Sequence, residues 1–163
     1  MLKLLIVIAA LLVPLAASAD PVKLSIRTAL DLGAALAALD GYDKTVKDGA
    51  TERTVRMSYQ LSSNVRLAIG RNITKLKEIT LAFQKAGRDK RAEVTAREGG
   101  DIKPGSAAEI QLNNDLTEMM DADAGPLDLT KFKPEELGLG GGVDNPIPGS
   151  VISALTPLLI EAK

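Results

Sequence analysis

The residues best suited to chemistry in this sequence are acidic and lie close together. They are Asp115, Glu118, Asp121, Asp123 and Asp128. Several carboxylate oxygens in one loop could bind a hard cation such as Ca²⁺, so a weak oxygen-ligand metal or small-ligand site in residues 115–128 is one hypothesis. An EF-hand beginning at Asp121 would need Gly at its sixth position and Glu at its twelfth, where this chain has Pro126 and Phe132. A solvated acidic helix end is the simpler interpretation.

Catalysis by two of these carboxylates is another alternative, because one could act as an acid and one as a base. Such a pair needs burial to separate the two pKa values, and the pattern gives no sign of burial. The chain contains no His and no Cys, which excludes thiol nucleophiles, disulfides, zinc fingers and Ser-His-Asp triads. We therefore expect no cofactor and no enzymatic activity, and a carboxylate-dependent hydrolase remains only an alternative.

The segment that precedes the acids is basic. Between residues 64 and 93, eight Lys and Arg face three acids, a net charge of +5, whereas eight acids face two lysines between residues 106 and 136, a net charge of −6. The two segments could lie side by side as complementary faces, could be solvated, or could form a surface for a partner or for self-association. The candidate interaction residues are Arg66, Arg71, Lys75, Lys77, Lys85 and Arg88.

Several other binding functions are disfavoured. The basic segment contains one aromatic residue, Phe83, and its spacing places it on the predicted core stripe, where single-stranded nucleic acid could not stack on it. The whole chain has 20 Lys+Arg against 21 Asp+Glu, so we expect no nucleic acid partner. The glycine tract of residues 138–142 fits neither the dinucleotide fingerprint nor a P-loop. Asn72-Ile73-Thr74 matches a glycosylation sequon, but it falls within a predicted helix, and we interpret it as chance.

The N-terminus has the three parts of a secretory signal peptide. A short positive leader precedes the apolar residues 4–13, and Ala17 and Ala19 form a small-x-small cleavage pattern before Asp20. An uncleaved anchor is the alternative, but crossing a bilayer takes about 20 apolar residues. We predict cleavage after Ala19, no stable membrane anchor afterwards, and export to the bacterial periplasm or the extracellular space.

Local patterns then predict the first elements. Leu32, Leu36 and Leu39 share one face of a helix over residues 25–39, after an extended lead-in and before a left-handed stop at Gly41. Asp48-Gly49 predicts a two-residue turn. Beyond it, alternating apolar residues predict a half-buried antiparallel strand, and they are Val55, Met57, Tyr59 and Leu61.

Local sequence patterns predict the later elements as well. Residues 65–88 predict the longest helix. Its packed part is expected to end near Gly87 and Lys90, because Lys90 would fall on the apolar stripe, and whether residues 89–98 extend the helix stays open. Ser106 and Glu109 form a capping box for another helix, whose apolar face includes Leu112 and Leu116. Residues 127–130 predict a second short strand.

Together these patterns predict an α+β fold, a mostly helical single domain with three to four helices, one of them long and central, packing a small antiparallel sheet. The expected organisation is a signal peptide (1–19), a core domain (20–137), a Gly/Pro-rich linker (138–149) and a C-terminal apolar segment (150–163) that packs back on the core. The leading functional hypothesis is an exported, non-catalytic interaction or accessory protein that presents a charge-segregated helical surface to a protein partner or to itself.

Overall fold

Helices dominate the computed structural model, which describes residues 21–49, 51–139 and 145–160. The predicted α+β class is confirmed: the described residues form four helices, one of them long and central, and their strands form two separate two-stranded antiparallel sheets instead of one. The predicted signal peptide, residues 1–19, lies outside the described residues. The elements are β1 (Val22–Ser25), α1 (Ile26–Ala38), β2 (Tyr42–Asp48), β3 (Thr51–Met57), α2 (Ser63–Glu98), α3 (Ala107–Asp121), β4 (Asp123–Leu127) and α4 (Gly149–Leu155), with 3-10 turns at Pro134–Leu137 and Thr156–Leu158.

The first helix begins and packs as its sequence predicts. The Ser25 hydroxyl accepts the backbone N–H of Thr28 at 3.2 Å, which satisfies one of the free donors at the helix start. Leu32 and Leu36 are fully buried. The predicted left-handed stop at Gly41 is wrong, because Gly41 does not have a positive φ. This glycine instead permits a close approach, since a Cβ there would lie 2.4 Å from the carbonyl oxygen of Met57.

Strands β2 and β3 form a β-hairpin (residues 42–57) that is more exposed than the alternation predicts. The strand ends at Met57, and the buried Tyr59 and half-buried Leu61 lie beyond it. No described residue of the two strands is buried, because neither face of the ribbon is covered by a helix layer. The pairing of Asp48 with Thr51 also places the turn one residue later than predicted.

The base of the β-hairpin is held by an aromatic contact. The rings of Tyr42 and Tyr59 lie with their centroids 5.0 Å apart and tilted by 37°, a geometry that aromatic pairs favour. Burial, followed by the nearby Tyr42, raises the pKa of the Tyr59 hydroxyl above its ordinary value. The contact therefore marks the junction between the exposed ribbon and the core.

The long helix α2 runs through residue 98 and joins two cores. Ser62 caps its start through a 3.3 Å bond from the Val65 N–H, and Gly99 ends it with a φ of 69°. At 1.5 Å per residue the helix is about 54 Å long. Its first half packs in the main core with α1, whereas Val94 packs against Ala108 and Leu112 of α3 in a second, smaller cluster.

We call the second half of α2 (residues 83–98) together with α3 the helical hairpin. Residues 89–98, whose helicity the sequence left open, are thus a packed part of this unit. In the described part of the chain, no helix is long and apolar enough to cross a membrane.

The remaining strands and the C-terminal segment close the main core. The predicted strand at residues 127–130 is wrong in position, because β4 lies before it and pairs with β1. The pairing of β4 with β1 begins directly after the end of α3, where the Ile26 N–H donates to the Ala122 carbonyl at 2.9 Å. Helix α4 packs against α1. Phe132 bonds through its backbone to Leu158 and Ile160 at 2.7 and 2.8 Å, which holds the final described residues against the core.

Candidate interaction surface

Helix α2 arranges its cations by their angular position around the axis. Its core-facing side carries the buried residues Val65, Ile69, Asn72, Leu76 and Val94. At 100° per residue, four exposed cations fall within an arc of about 60° on one flank of that side, and no acid between residues 66 and 95 shares the arc. We call this arc the cationic face, and its residues are Arg66, Lys77, Arg88 and Arg91.

Three of the six candidate interaction residues therefore share one face, and the other three do not. Arg71 and Lys75 project from the opposite flank, and Lys85 projects away from the core. Arg91 was not among the candidates, although the same 100° spacing that places Arg88 also places Arg91 on this face. The angular position, rather than the number of cations per segment, was the signal that could have found it.

Two of the candidate lysines are engaged within the chain. The Lys75 ammonium contacts the Asp128 carboxylate at 3.1 Å and donates to the Asp128 backbone carbonyl. Lys85 forms a 2.7 Å pair with Asp89 one turn along the same helix. Exposed pairs of this kind contribute little to stability, but they reduce the positive charge that these two lysines offer to a partner.

Unlike Lys75 and Lys85, the residues of the cationic face form no ion pair with a carboxylate that the structure describes. The Arg66 guanidinium donates to the Tyr59 carbonyl at 2.6 Å, which fixes the side chain but leaves its charge uncompensated. Lys77, Arg88 and Arg91 are exposed and form no ion pair with any residue that the structure describes. The face extends over about 38 Å of helix.

A groove beside the cationic face gives it an apolar component. The groove lies between α2 and α3, has a volume of about 310 Å³, and is floored by Phe83, Gly87 and Leu116. Arg88 and Arg91 form its rim. Phe83 and Leu116 are half-buried, so an apolar side chain of a partner could cover their remaining exposed surface while its neighbours meet the two guanidinium groups.

Among the described residues, opposite charges of α2 and α3 meet at one place along the two helices. Lys90, which sequence spacing marked as the end of the packed region, instead contacts Asp115 of α3 at 3.1 Å and Glu93 at 3.5 Å. The bond to Asp115 raises the pKa of the Lys90 ammonium. The pKa of the Asp115 carboxyl lies below its usual value because the Gln111 amide, and then Lys90, donate to it.

The acidic segment does not converge on one point. Asp121 contacts Arg27 of α1 at 2.9 Å, Asp128 contacts Lys75, and Asp123 accepts the Gly125 N–H at 2.8 Å. Within residues 21–49, 51–139 and 145–160, no three His, Cys, Asp or Glu side chains are grouped as metal ligands. These carboxylates meet different donors, so the geometry gives no support to the metal hypothesis.

Asn72 is a buried polar residue whose role the sequence did not predict. It is fully buried, its amide donates to the Thr130 carbonyl at 2.8 Å, and its oxygen accepts the Thr130 N–H at 2.9 Å. The Asn72 side chain thus pairs with both backbone groups of Thr130, as a neighbouring strand would. The sequon at this position is therefore inaccessible in the folded chain. The cleavage residues Ala17, Ala19 and Asp20 lie outside the described residues.

No known protein family matches the chain, and neither does any curated protein or any solved structure. Its function must therefore be inferred from its residues and their geometry.

Proposed function

We propose that this protein is an exported, non-catalytic interaction protein that binds an acidic protein partner along the cationic face of α2. The observation that carries the proposal is the set of three exposed cations, Lys77, Arg88 and Arg91, which have no carboxylate partner among the described residues. Opposite charge on a partner would steer the encounter and set its orientation.

The groove beside Arg88 and Arg91 supplies the apolar contact. Charge alone gives modest affinity at physiological salt, whereas an aromatic or aliphatic anchor in a pocket commonly carries most of the binding energy. Phe83 and Leu116 offer such a pocket next to two guanidinium groups. The partner chemistry that fits is an acidic segment with one apolar side chain at its centre.

The proposal of a non-catalytic role rests on composition. Without His or Cys, an enzyme would depend on carboxylate or lysine chemistry, and Asp115, Asp121 and Asp128 are each paired with a different cation. Turnover of a substrate by the purified protein, lost on replacement of Asp121 or Asp123, would refute this part of the proposal.

The binding test compares two charge-reversal variants with equal change in net charge. Arg88→Glu/Arg91→Glu alters the groove rim, and Lys23→Glu/Lys103→Glu alters exposed lysines elsewhere. Wild type and both variants are immobilised, and partners recovered from the producing cell's envelope fraction are identified and then titrated as purified proteins by calorimetry.

We expect an acidic partner whose affinity falls at least tenfold with Arg88→Glu/Arg91→Glu, is unchanged with the control, and weakens as salt is raised. A partner that binds both variants equally well would contradict the assignment of the surface.

Export is tested separately. We expect mass spectrometry of the protein from the producing cell to show a chain that begins at Asp20, in the periplasmic or extracellular fraction. Recovery of a chain beginning at Met1 from the cytosol would refute export without touching the binding surface.

A further inference from the structure

The β-hairpin is a two-stranded ribbon, and neither of its outer edges pairs with another strand in the part of the chain that the structure describes. Seven residues of each strand are in register from Tyr42↔Met57 to Asp48↔Thr51, and none of them is buried. A ribbon of this kind is marginally stable in water, because three or more strands or a covering layer are normally needed. Its open edges are templates for a further strand.

The free backbone groups on the outer edge of β3 follow from the ladder. Hydrogen-bonded and non-hydrogen-bonded pairs alternate in an antiparallel pair, and the pair that closes a two-residue hairpin loop, here Asp48↔Thr51, is hydrogen-bonded. Residues at even positions of β3 therefore direct their N–H and C=O groups outward. These residues are Glu52, Thr54 and Arg56.

Those three residues can all pair with themselves in one register. If a second β3 runs antiparallel with Thr54 opposite Thr54, then Glu52 lies opposite Arg56 on both sides of the symmetry axis. All three outward-facing residues find hydrogen-bonding partners, and both charge pairs are favourable. A shift by two residues in either direction leaves one of the three unpaired and removes both Glu-Arg pairs.

The charge complementarity extends across the β-hairpins of both copies. Within one chain Asp43 contacts Arg56 at 3.3 Å, and Lys47 contacts Glu52 at 3.1 Å. In the joined sheet one row would read Asp43 and Arg56 of one copy followed by Glu52 and Lys47 of the second, with signs that alternate throughout. Opposite charges directly across strands stabilise a sheet, and like charges destabilise it.

We propose that two copies of this chain associate through β3, antiparallel about Thr54, to form a continuous four-stranded sheet. A C2 arrangement requires a self-complementary patch, and β3 has this property in its charges and in its backbone pattern. The proposal is independent of the cationic face, because the β-hairpin and α2 use different residues.

The β3 edge is favoured over the β2 edge by its chemistry. Strand β2 carries Lys44 and Lys47, and lysines are the residues that natural sheets use to blunt free edges. Strand β3 contains no lysine, and its Glu52 would meet an arginine, whose planar guanidinium can bind a carboxylate through two hydrogen bonds.

The first test is a charge exchange between two single variants. In Glu52→Arg, the introduced arginine would face Arg56 of the second copy, and in Arg56→Glu the introduced glutamate would face Glu52. By sedimentation equilibrium we expect wild type to dimerise as its concentration is raised and each variant to dimerise about tenfold more weakly or worse. An equimolar mixture of the two variants should recover dimers, because both cross-pairs become favourable again.

Recovery on mixing separates association from folding, because a change within each hairpin is not repaired by mixing. Wild type that stays monomeric up to its solubility limit would overturn the proposal. Single variants that dimerise like wild type would overturn it too, as would a mixture that does not recover dimers.

The second test uses the absence of cysteine from the chain. A hydrogen-bonded antiparallel pair has Cα atoms about 5.5 Å apart, and its Cβ atoms are farther apart than the roughly 3.5–4.5 Å that a disulfide needs, so a short thiol-specific cross-linker is used to join them. We expect Thr54→Cys to form a covalent dimer with this cross-linker, and the matched Thr45→Cys on β2 to remain monomeric. Preferential cross-linking of Thr45→Cys, or equal cross-linking of both, would refute the β3 edge.

Discussion

Two hairpins project from the main core, and they are stabilised in different ways. The helical hairpin has its own small cluster of Val94, Ala108 and Leu112 and an ion pair between Lys90 and Asp115. Neither strand of the β-hairpin has a buried residue among those that the structure describes, and the β-hairpin is held by cross-strand pairs and by its base. One projection is therefore stabilised by its own contacts, whereas the other has unused hydrogen-bonding capacity along both edges.

This difference separates two ways in which a projecting element can serve binding. The helical hairpin offers a fixed, pre-folded surface, so a partner on the cationic face would pay little ordering entropy. The β-hairpin would gain order on pairing, and the proposed second copy would supply the strand that it lacks. The following predictions test whether the two hairpins differ in this way.

The largest effect is expected from Leu112→Ala, which empties the small cluster of the helical hairpin. Leu112 is almost fully buried, and truncation of a buried leucine costs about 2–5 kcal/mol. We expect the free energy of unfolding to fall by that amount in chemical denaturation, with hydrogen exchange accelerated in α3.

The matched control is Ile110→Ala, two residues away on the same helix. Ile110 is 57% exposed, so its replacement should change stability by less than about 0.5 kcal/mol. Equal effects of the two substitutions would show that the helical hairpin has no core of its own.

The next largest effect is expected at the base of the β-hairpin. The Cβ of Gly41→Ala would lie 2.4 Å from the Met57 carbonyl oxygen, so the backbone must move, at a cost of about 1–3 kcal/mol. Thermal and urea unfolding measure this cost. Gly70→Ala is the control, because nothing lies within 4 Å of its added Cβ and a helix-interior alanine is favourable. Destabilisation by Gly70→Ala, or none by Gly41→Ala, would contradict the assignment.

A smaller effect of opposite sign is expected in the helical hairpin. The Cβ of Gly87→Ala would meet Leu116 Cδ2 at 3.5 Å, an ordinary van der Waals distance. Alanine is better than glycine in a helix by about 0.5–1 kcal/mol, so the melting temperature should rise in calorimetry. A fall would show that α2 and α3 approach more closely at this point than the added methyl group allows.

The smallest effect concerns pH. Asp115 has a lowered pKa, so its contribution to stability is present above the ordinary aspartate value of about 3.9 and is lost as pH falls through the lower folded value. The raised pKa of Lys90 acts at the other end, where its contribution is lost as pH rises through the folded value.

We expect Asp115→Asn to lose stability at neutral pH and to show a shallower fall in melting temperature as the pH is lowered below the ordinary aspartate pKa of about 3.9. An acid profile of Asp115→Asn that is identical to that of wild type would refute the coupling between α2 and α3.

Local chemistry made much of the fold predictable. Ser25, Ser62 and Ser106 each cap the helix that follows them, because a hydroxyl satisfies a free N–H whatever the tertiary context. The exposure of the β-hairpin was not predictable in this way. The alternation of apolar and polar residues shows that the two faces of a strand differ in polarity. It does not show whether another layer of the protein covers either face.

The candidate interaction surface was predictable only in part. The count of charges per segment included both Arg88 and Arg91, but only Arg88 was among the candidate residues. The count could not separate either from Lys75, whose charge is met by Asp128. Lys90 on an apolar stripe predicted an end of packing, yet its ammonium reaches Asp115 at 3.1 Å. The sequence pattern of one helix does not predict where a carboxylate of a later element will lie.

The tyrosine contact at the base of the β-hairpin gives the molecule a built-in optical reporter. The chain has two tyrosines and no tryptophan, and Tyr42 and Tyr59 stand together at that one point. Intrinsic fluorescence and near-ultraviolet absorption therefore originate almost wholly at the root of the ribbon. Stopped-flow emission can follow detachment of the ribbon without a dye, while events elsewhere in the protein stay spectroscopically silent.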